Sequence, residues 1–218
     1  MRHPEIEGTT MTKLLHISAS PRGAQSDSLA IAESFLAAYR ENNPDRQVDT
    51  LDLWDNDMPD FGPTAARAKM TALAGEELIG EEAAVWKSTV ATFERFAGYD
   101  HYLFSVPMWN HGVPYVLKHF IDIVSQKDFL FTLTPEEGYK GLLTDKKAAV
   151  VYTSAVYSPT SGREYGIDFQ ESYFDYWLDF CGITDVTKIT LRQNLLSPEI
   201  ETTRQAALEQ AAAAGRDF

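Results

Sequence analysis

Short apolar runs alternate along the chain with longer amphipathic stretches, and this alternation admits few folds other than a parallel sheet covered by helices. The runs are Leu14-Leu15-His16-Ile17, Val48 to Leu53, His101 to Val106, Ala148 to Thr153 and Val186 to Leu191. Between them, Leu29 to Tyr39, the Ala- and Glu-rich segment from about Thr64 to Ala97, Pro114 to Ser125 and Phe169 to Cys181 read as helices, and a last helix runs from Pro198 to about Ala214. Gly75 and Gly80 are placed to break the long middle segment, and Gly182 to end the aromatic helix. Residues 126–147 fit no simple crossover and read as an excursion over the sheet's edge. Five strands joined by right-handed crossovers make a doubly wound α/β sandwich. Such a sheet binds ligands beyond the carboxyl ends of its strands, here at the loops after strands one, three and four. Residues 1–11 read as a flexible extension and 12–218 as one domain.

Composition narrows the partners. Acidic residues outnumber basic ones 32 to 19, for a net charge of −13, which repels a nucleic-acid backbone and an anionic membrane alike. No run of about 18 apolar residues exists to span a bilayer. Cys181 is the only cysteine, so neither an intrachain disulfide nor a thiolate metal site is expected, and a cytoplasmic setting follows.

The loop after strand one holds no Gly-x-Gly-x-x-Gly and no Gly-Lys-Ser/Thr, which disfavours dinucleotide-fingerprint and ATP sites. It holds Ser20, Ser26, Asp27 and Ser28 where a helix begins, and hydroxyls, N–H donors and the dipole's positive end together suit a phosphate monoester. The same serines also serve as ordinary turn and cap residues, and both readings stand. After strand three comes Pro107-Met108-Trp109-Asn110-His111-Gly112-Val113-Pro114, a proline-bounded turn. Its amide, thioether and aromatic ring suit a flat heteroaromatic ligand. His111 is either part of that site or a solvent-facing turn residue, and no metal site is predicted. A hydrolase elbow of the form Gly-x-Ser-x-Gly is absent.

With the loop Ser20-Pro21-Arg22 to Ser28, the turn Pro107-Met108-Trp109-Asn110, the helix Leu117-Lys118-His119-Phe120-Ile121-Asp122 and the segment Gly182-Ile183-Thr184-Asp185-Val186, the chain resembles the FMN-dependent NADH-azoreductases and quinone reductases. The resemblance covers nearly everything after Met11. It implies a flavodoxin-like five-stranded parallel sheet, order 2-1-3-4-5, with helices on both faces. It implies FMN phosphate contacts from Ser20, Ser26, Asp27 and Ser28, and ring contacts from Pro107, Met108, Trp109, Asn110 and His111. A third contact loop is implied at Ser154-Ala155-Val156-Tyr157, where Val156 and Tyr157 replace the family's usual Gly-Gly pair.

The implied activity passes two electrons from NADH or NADPH through FMN to a quinone or azo compound by a ping-pong mechanism. The implied assembly is a homodimer in which Phe131 and Phe180 wall the flavin, unless both simply pack the core. The aromatic run Tyr173-Phe174-Asp175-Tyr176-Trp177 reads as interface. A flavodoxin-like electron carrier or flavin-binding module without turnover is the alternative. Its kind is shorter than 218 residues and lacks the 126–147 excursion.

Overall fold

A computed structural model describes residues 11–55, 58–192 and 199–218. Its main sheet is formed by β1 (Lys13–Ser18), β2 (Gln47–Asp52), β3 (His101–Pro107), β6 (Lys147–Ser154) and β7 (Asp185–Arg192). All four pairings are parallel, in the order β2-β1-β3-β6-β7. Strands β4 (Phe131–Thr134) and β5 (Gly138–Gly141) form an antiparallel hairpin outside that sheet. The five strands therefore follow the expected order 2-1-3-4-5. Helices α1 (Asp27–Asn42) and α6 (Ile200–Asp217) cover one face, and α3 (Gly80–Ala97), α4 (Tyr115–Val124) and α5 (Gln170–Cys181) cover the other. Helix α2 (Pro63–Leu73) packs beside α3.

Strand alternation explains the two cores. On β3, Tyr102, Phe104 and Val106 face α4 and α5, while Leu103 joins Leu14, Ala149 and Val151 against Ile31 and Phe35 of α1. Central strands buried on both faces read as nearly continuous apolar runs, which is how the sequence presents them. Each such side chain contributes about 1.5–3 kcal/mol on leaving water.

Boundaries differ from the sequence reading at a few points. Helix α1 starts two residues earlier than Leu29, because Ser26 caps it. Gly75 and Gly80 do break the middle segment, both with positive φ (72° and 55°). Pro114 stands just ahead of α4 rather than inside it. The excursion is the β4/β5 hairpin, held by Leu142 N–H donating to Leu130 O and Leu143 N–H to Cys181 O, each at 2.9 Å. Pro198 and nearly all of the proposed extension 1–11 lie outside the described residues.

Candidate functional site

The first loop leaves β1 at Ser18 and enters α1 through Ser26, whose Oγ accepts from Leu29 N at 3.4 Å. Ser20, Ser26 and Ser28 are all buried. Ser20 and Ser26 line a cavity of about 280 Å³ with Arg22 and Asp27. Ser28 does not: its hydroxyl bonds Ser26 Oγ at 3.0 Å beneath the cavity, leaving its N–H as one of the helix's unspent donors. The Asp27 carboxylate pairs with Arg204 of α6 at 2.9 Å, so its charge is already matched and opposes an incoming anion less. Under this loop His16 Nε2 lies 2.8 Å from Ser105 Oγ. Burial, with a smaller effect from Arg40, lowers its pKa to about 4 and keeps the imidazole neutral.

The second loop is a tight turn. Trp109 N–H donates to Gly112 O and Gly112 N–H to Trp109 O, both at 3.0 Å, with Asn110 and His111 at φ 48° and 69°. Two consecutive positive φ values between such a bonded pair define a primed two-residue turn, where asparagine is tolerated better than most residues. The turn places Asn110 just beyond the carboxyl end of β3.

The third loop takes the place of the Gly-Gly pair without needing glycine. Ser154 Oγ donates to Tyr157 O at 2.6 Å, closing the bend, and neither Val156 nor Tyr157 has positive φ. This loop and the 163–166 segment border a cavity of about 490 Å³ with Met108, Asn110 and His111. Met108, Asn110, Ser154 and Ala155 line both this cavity and the smaller one, which makes a single elongated trough with the serine loop at one end. Gly166 seals the far end at φ 116°. A Cβ there would stand 2.5 Å from His111 Cε1, and Phe169 N–H donates to His111 O at 2.9 Å.

Beside the trough opens an apolar cleft of about 940 Å³ that shares Trp109 and Asn110. Trp54, Tyr115, Phe169, Tyr173 and Tyr176 supply its aromatic walls, and Lys118 its cation. The aromatic run of α5 thus divides by helical period. Phe174 and Trp177 are core, while Tyr173 and Tyr176 face the cleft, Tyr176 at 63% exposure. Phe131 and Phe180 line neither trough nor cleft in this chain. Their rings pack 4.7 Å apart beside Tyr139, where the hairpin meets the end of α5.

Trp54, Tyr115 and Phe169 carry no motif in the sequence. Only their closeness to strand and helix ends on the ligand side of the sheet could have singled them out. The expected cofactor fits the donors present. Hydroxyls, a cationic Arg22 and free first-turn N–H groups suit a monophosphate, and the buried Ser18 Oγ at the head of the loop has no partner among the described residues. Asn110, the main chain of the second and third loops, the soft thioether of Met108 and the flat face of Trp109 suit an isoalloxazine ring.

The chain as a whole is similar to known proteins. A family model described as a flavodoxin-like fold matches residues 12–214. An FMN-dependent NADH:quinone oxidoreductase of Ruegeria pomeroyi is 43% identical over 204 residues, covering 94% of this chain and 100% of its own. One named FMN-dependent NADH:quinone oxidoreductase 3, of Pseudomonas fluorescens, is 42% identical over 206 residues, covering 93% and 95%. Among solved structures, an azoreductase of Bacillus anthracis superposes with a TM-score of 0.87 at 30% identity, covering 95% of this chain and 100% of that one.

Proposed function

Because the chain belongs to the flavodoxin-like family of FMN-dependent NADH:quinone oxidoreductases and azoreductases, we propose that it binds FMN and transfers two electrons from NADH or NADPH to a quinone or azo compound. The observation that carries this reading is the trough itself, with a phosphate-type donor set at one end and a flat-ring pocket at the other. FMN when bound supplies the electron chemistry, and no protein nucleophile is required.

The chain's residues hold and shape the site. Ser20, Ser26, Arg22 and the first-turn N–H groups of Asp27 and Ser28 bind the phosphate, with the helix dipole adding to the hydrogen bonds. Pro107, Met108, Trp109, Asn110 and His111 carry one edge of the ring and Ser154, Ala155, Val156 and Tyr157 the other, and fixed donors there favour added negative charge. The aromatic cleft excludes water and offers flat surfaces to a nicotinamide and then to the acceptor. One such slot cannot hold both substrates, so donor and acceptor alternate.

The exposed cleft aromatics support a homodimer, in which Phe131 and Phe180 reach the site of the partner. A cytoplasmic setting is supported by the single buried Cys181. Among the described residues no helix is long and apolar enough to cross a membrane. Steady-state kinetics with NADH and a small quinone test the shared slot. Parallel double-reciprocal lines are expected, and intersecting lines would contradict it.

A further inference from the structure

Behind the third loop, at the carboxyl end of β7, sits the guanidinium of Arg192, only 6% exposed. Its Nη2 donates to Asp168 Oδ2 at 2.9 Å and to Glu171 Oε2 at 3.0 Å, and its Nη1 to Gln170 Oε1 at 2.6 Å. Its Cζ lies 5.5 Å from the Tyr152 ring centroid and 5.7 Å from that of Tyr157. A cation so deeply desolvated needs several partners, and only the planar fork of arginine reaches this many at once.

Three of these partners lead to the candidate site. Tyr157 belongs to the third loop. Asp168 precedes Phe169, whose N–H bonds His111 O in the second loop. Gln170 Nε2 donates at 2.6 Å to Val106 O, immediately before Pro107 and Met108. The arginine is not needed to start α5, because Asp168 Oδ1 alone accepts from Gln170 N and Glu171 N at 2.8 and 2.9 Å. Partial burial opposes the Glu171 charge, yet hydrogen bonds from Lys188 and Arg192 hold its carboxyl below the usual range.

We propose that Arg192 is a positioning residue for the ring end of the flavin site, locking the second and third contact loops together from behind. In this chain it does for the loop holding Val156 and Tyr157 what local glycine geometry cannot. The inference rests on the flavin reading above and adds to it a residue that touches no flavin.

The test titrates FMN and riboflavin separately into the full-length wild type and into R192M by flavin fluorescence, with circular dichroism of the flavin-free proteins as the folding control. Loss of a positioning network built on charged hydrogen bonds should weaken both flavins by about tenfold or more. Their affinity ratio should stay constant, because the phosphate loop is untouched, and the absorption band of bound flavin should move toward that of free flavin. Wild-type affinities with an unchanged spectrum, or a loss confined to FMN, would overturn the inference. Should R192M not fold, D168N is read by the same criteria, since asparagine keeps the Oδ1 cap of α5 while removing the charge that Arg192 grips. Failure of the wild type to bind either flavin would overturn the underlying reading and the inference together.

Discussion

Replacing Gly166 by alanine probes the seam between the second and third loops. Gly166 has φ 116° and ψ −179°, a region essentially reserved for glycine, and forcing an alanine there costs of order 1–3 kcal/mol. The new Cβ would also stand 2.5 Å from His111 Cε1 and 2.6 Å from His111 Nδ1. The exposed imidazole can escape only by leaving its rotamer, at about 0.5–1.5 kcal/mol. The two costs separate in a double-mutant cycle. In a His111→Gly background the ring is gone and only the backbone cost remains, so the coupling energy should be about 1 kcal/mol. With a urea slope of about 2 kcal/mol/M, that coupling appears as a difference of about 0.5 M between the midpoint shifts caused by G166A in the two backgrounds. Equal shifts in both backgrounds would refute the close approach of Gly166 to His111. A G166A midpoint equal to that of wild type would refute the backbone assignment.

Other consequences are equally open to measurement. Asn110 sits at φ 48°, so Asn110→Gly removes the carboxamide while keeping the turn, whereas Asn110→Leu adds about 1–2 kcal/mol of left-handed strain. If the carboxamide meets developing charge, N110G should slow flavin reduction by NADH roughly 30-fold or more at unchanged stability, the equivalent of about 2–4 kcal/mol; an unchanged rate would make Asn110 structural. His16 titrates near 4 when folded and near 6.5 when unfolded, so its contribution is complete above pH 6.5 and lost as pH falls toward 4, roughly 3 kcal/mol in all. Urea midpoints between pH 7 and 4.5 should therefore fall less in His16→Gln than in wild type, and matching slopes would contradict a neutral buried imidazole. Tyr176→Glu places a charge on the exposed rim of the aromatic cleft and should turn a dimer into a monomer in light scattering at micromolar concentration; a monomeric wild type would defeat the proposed assembly.

The sheet was legible because its central strands are buried on both faces, so that Leu14 to Ile17, His101 to Val106 and Ala148 to Thr153 are mostly apolar whatever their neighbours are. The hairpin at 131–141 was legible only as an anomaly. Its Phe131-Thr132-Leu133-Thr134 alternates over only four residues, too short to stand out, and although Phe131 packs on Phe180 of α5, Leu133 two residues on is exposed. At the site, the first and second loops announce themselves through serine caps and a proline-bounded Asn-His turn, which are local chemistry. Roles set by tertiary pairing do not show in the chain. Ser28 reads like Ser20 but is turned beneath Ser26, and Asp27 reads like a ligand residue but is paired to Arg204, 177 positions away. Arg192 is a lone cation at a strand end, and nothing local signals the three side chains it grips. The run at 173–177 divides into core and cleft only once α5 is docked against β3 and β6.

The central claim is that the trough between the serine loop and the Asn110 turn holds FMN. Its most direct test is the visible spectrum of the purified protein, before and after addition of FMN, with mass identification of what heat releases. The account predicts a bound-flavin spectrum and release of FMN at one per chain, since the trough offers one phosphate cradle. Release of FAD, or a protein that stays colourless after FMN is added and the excess removed, would contradict it.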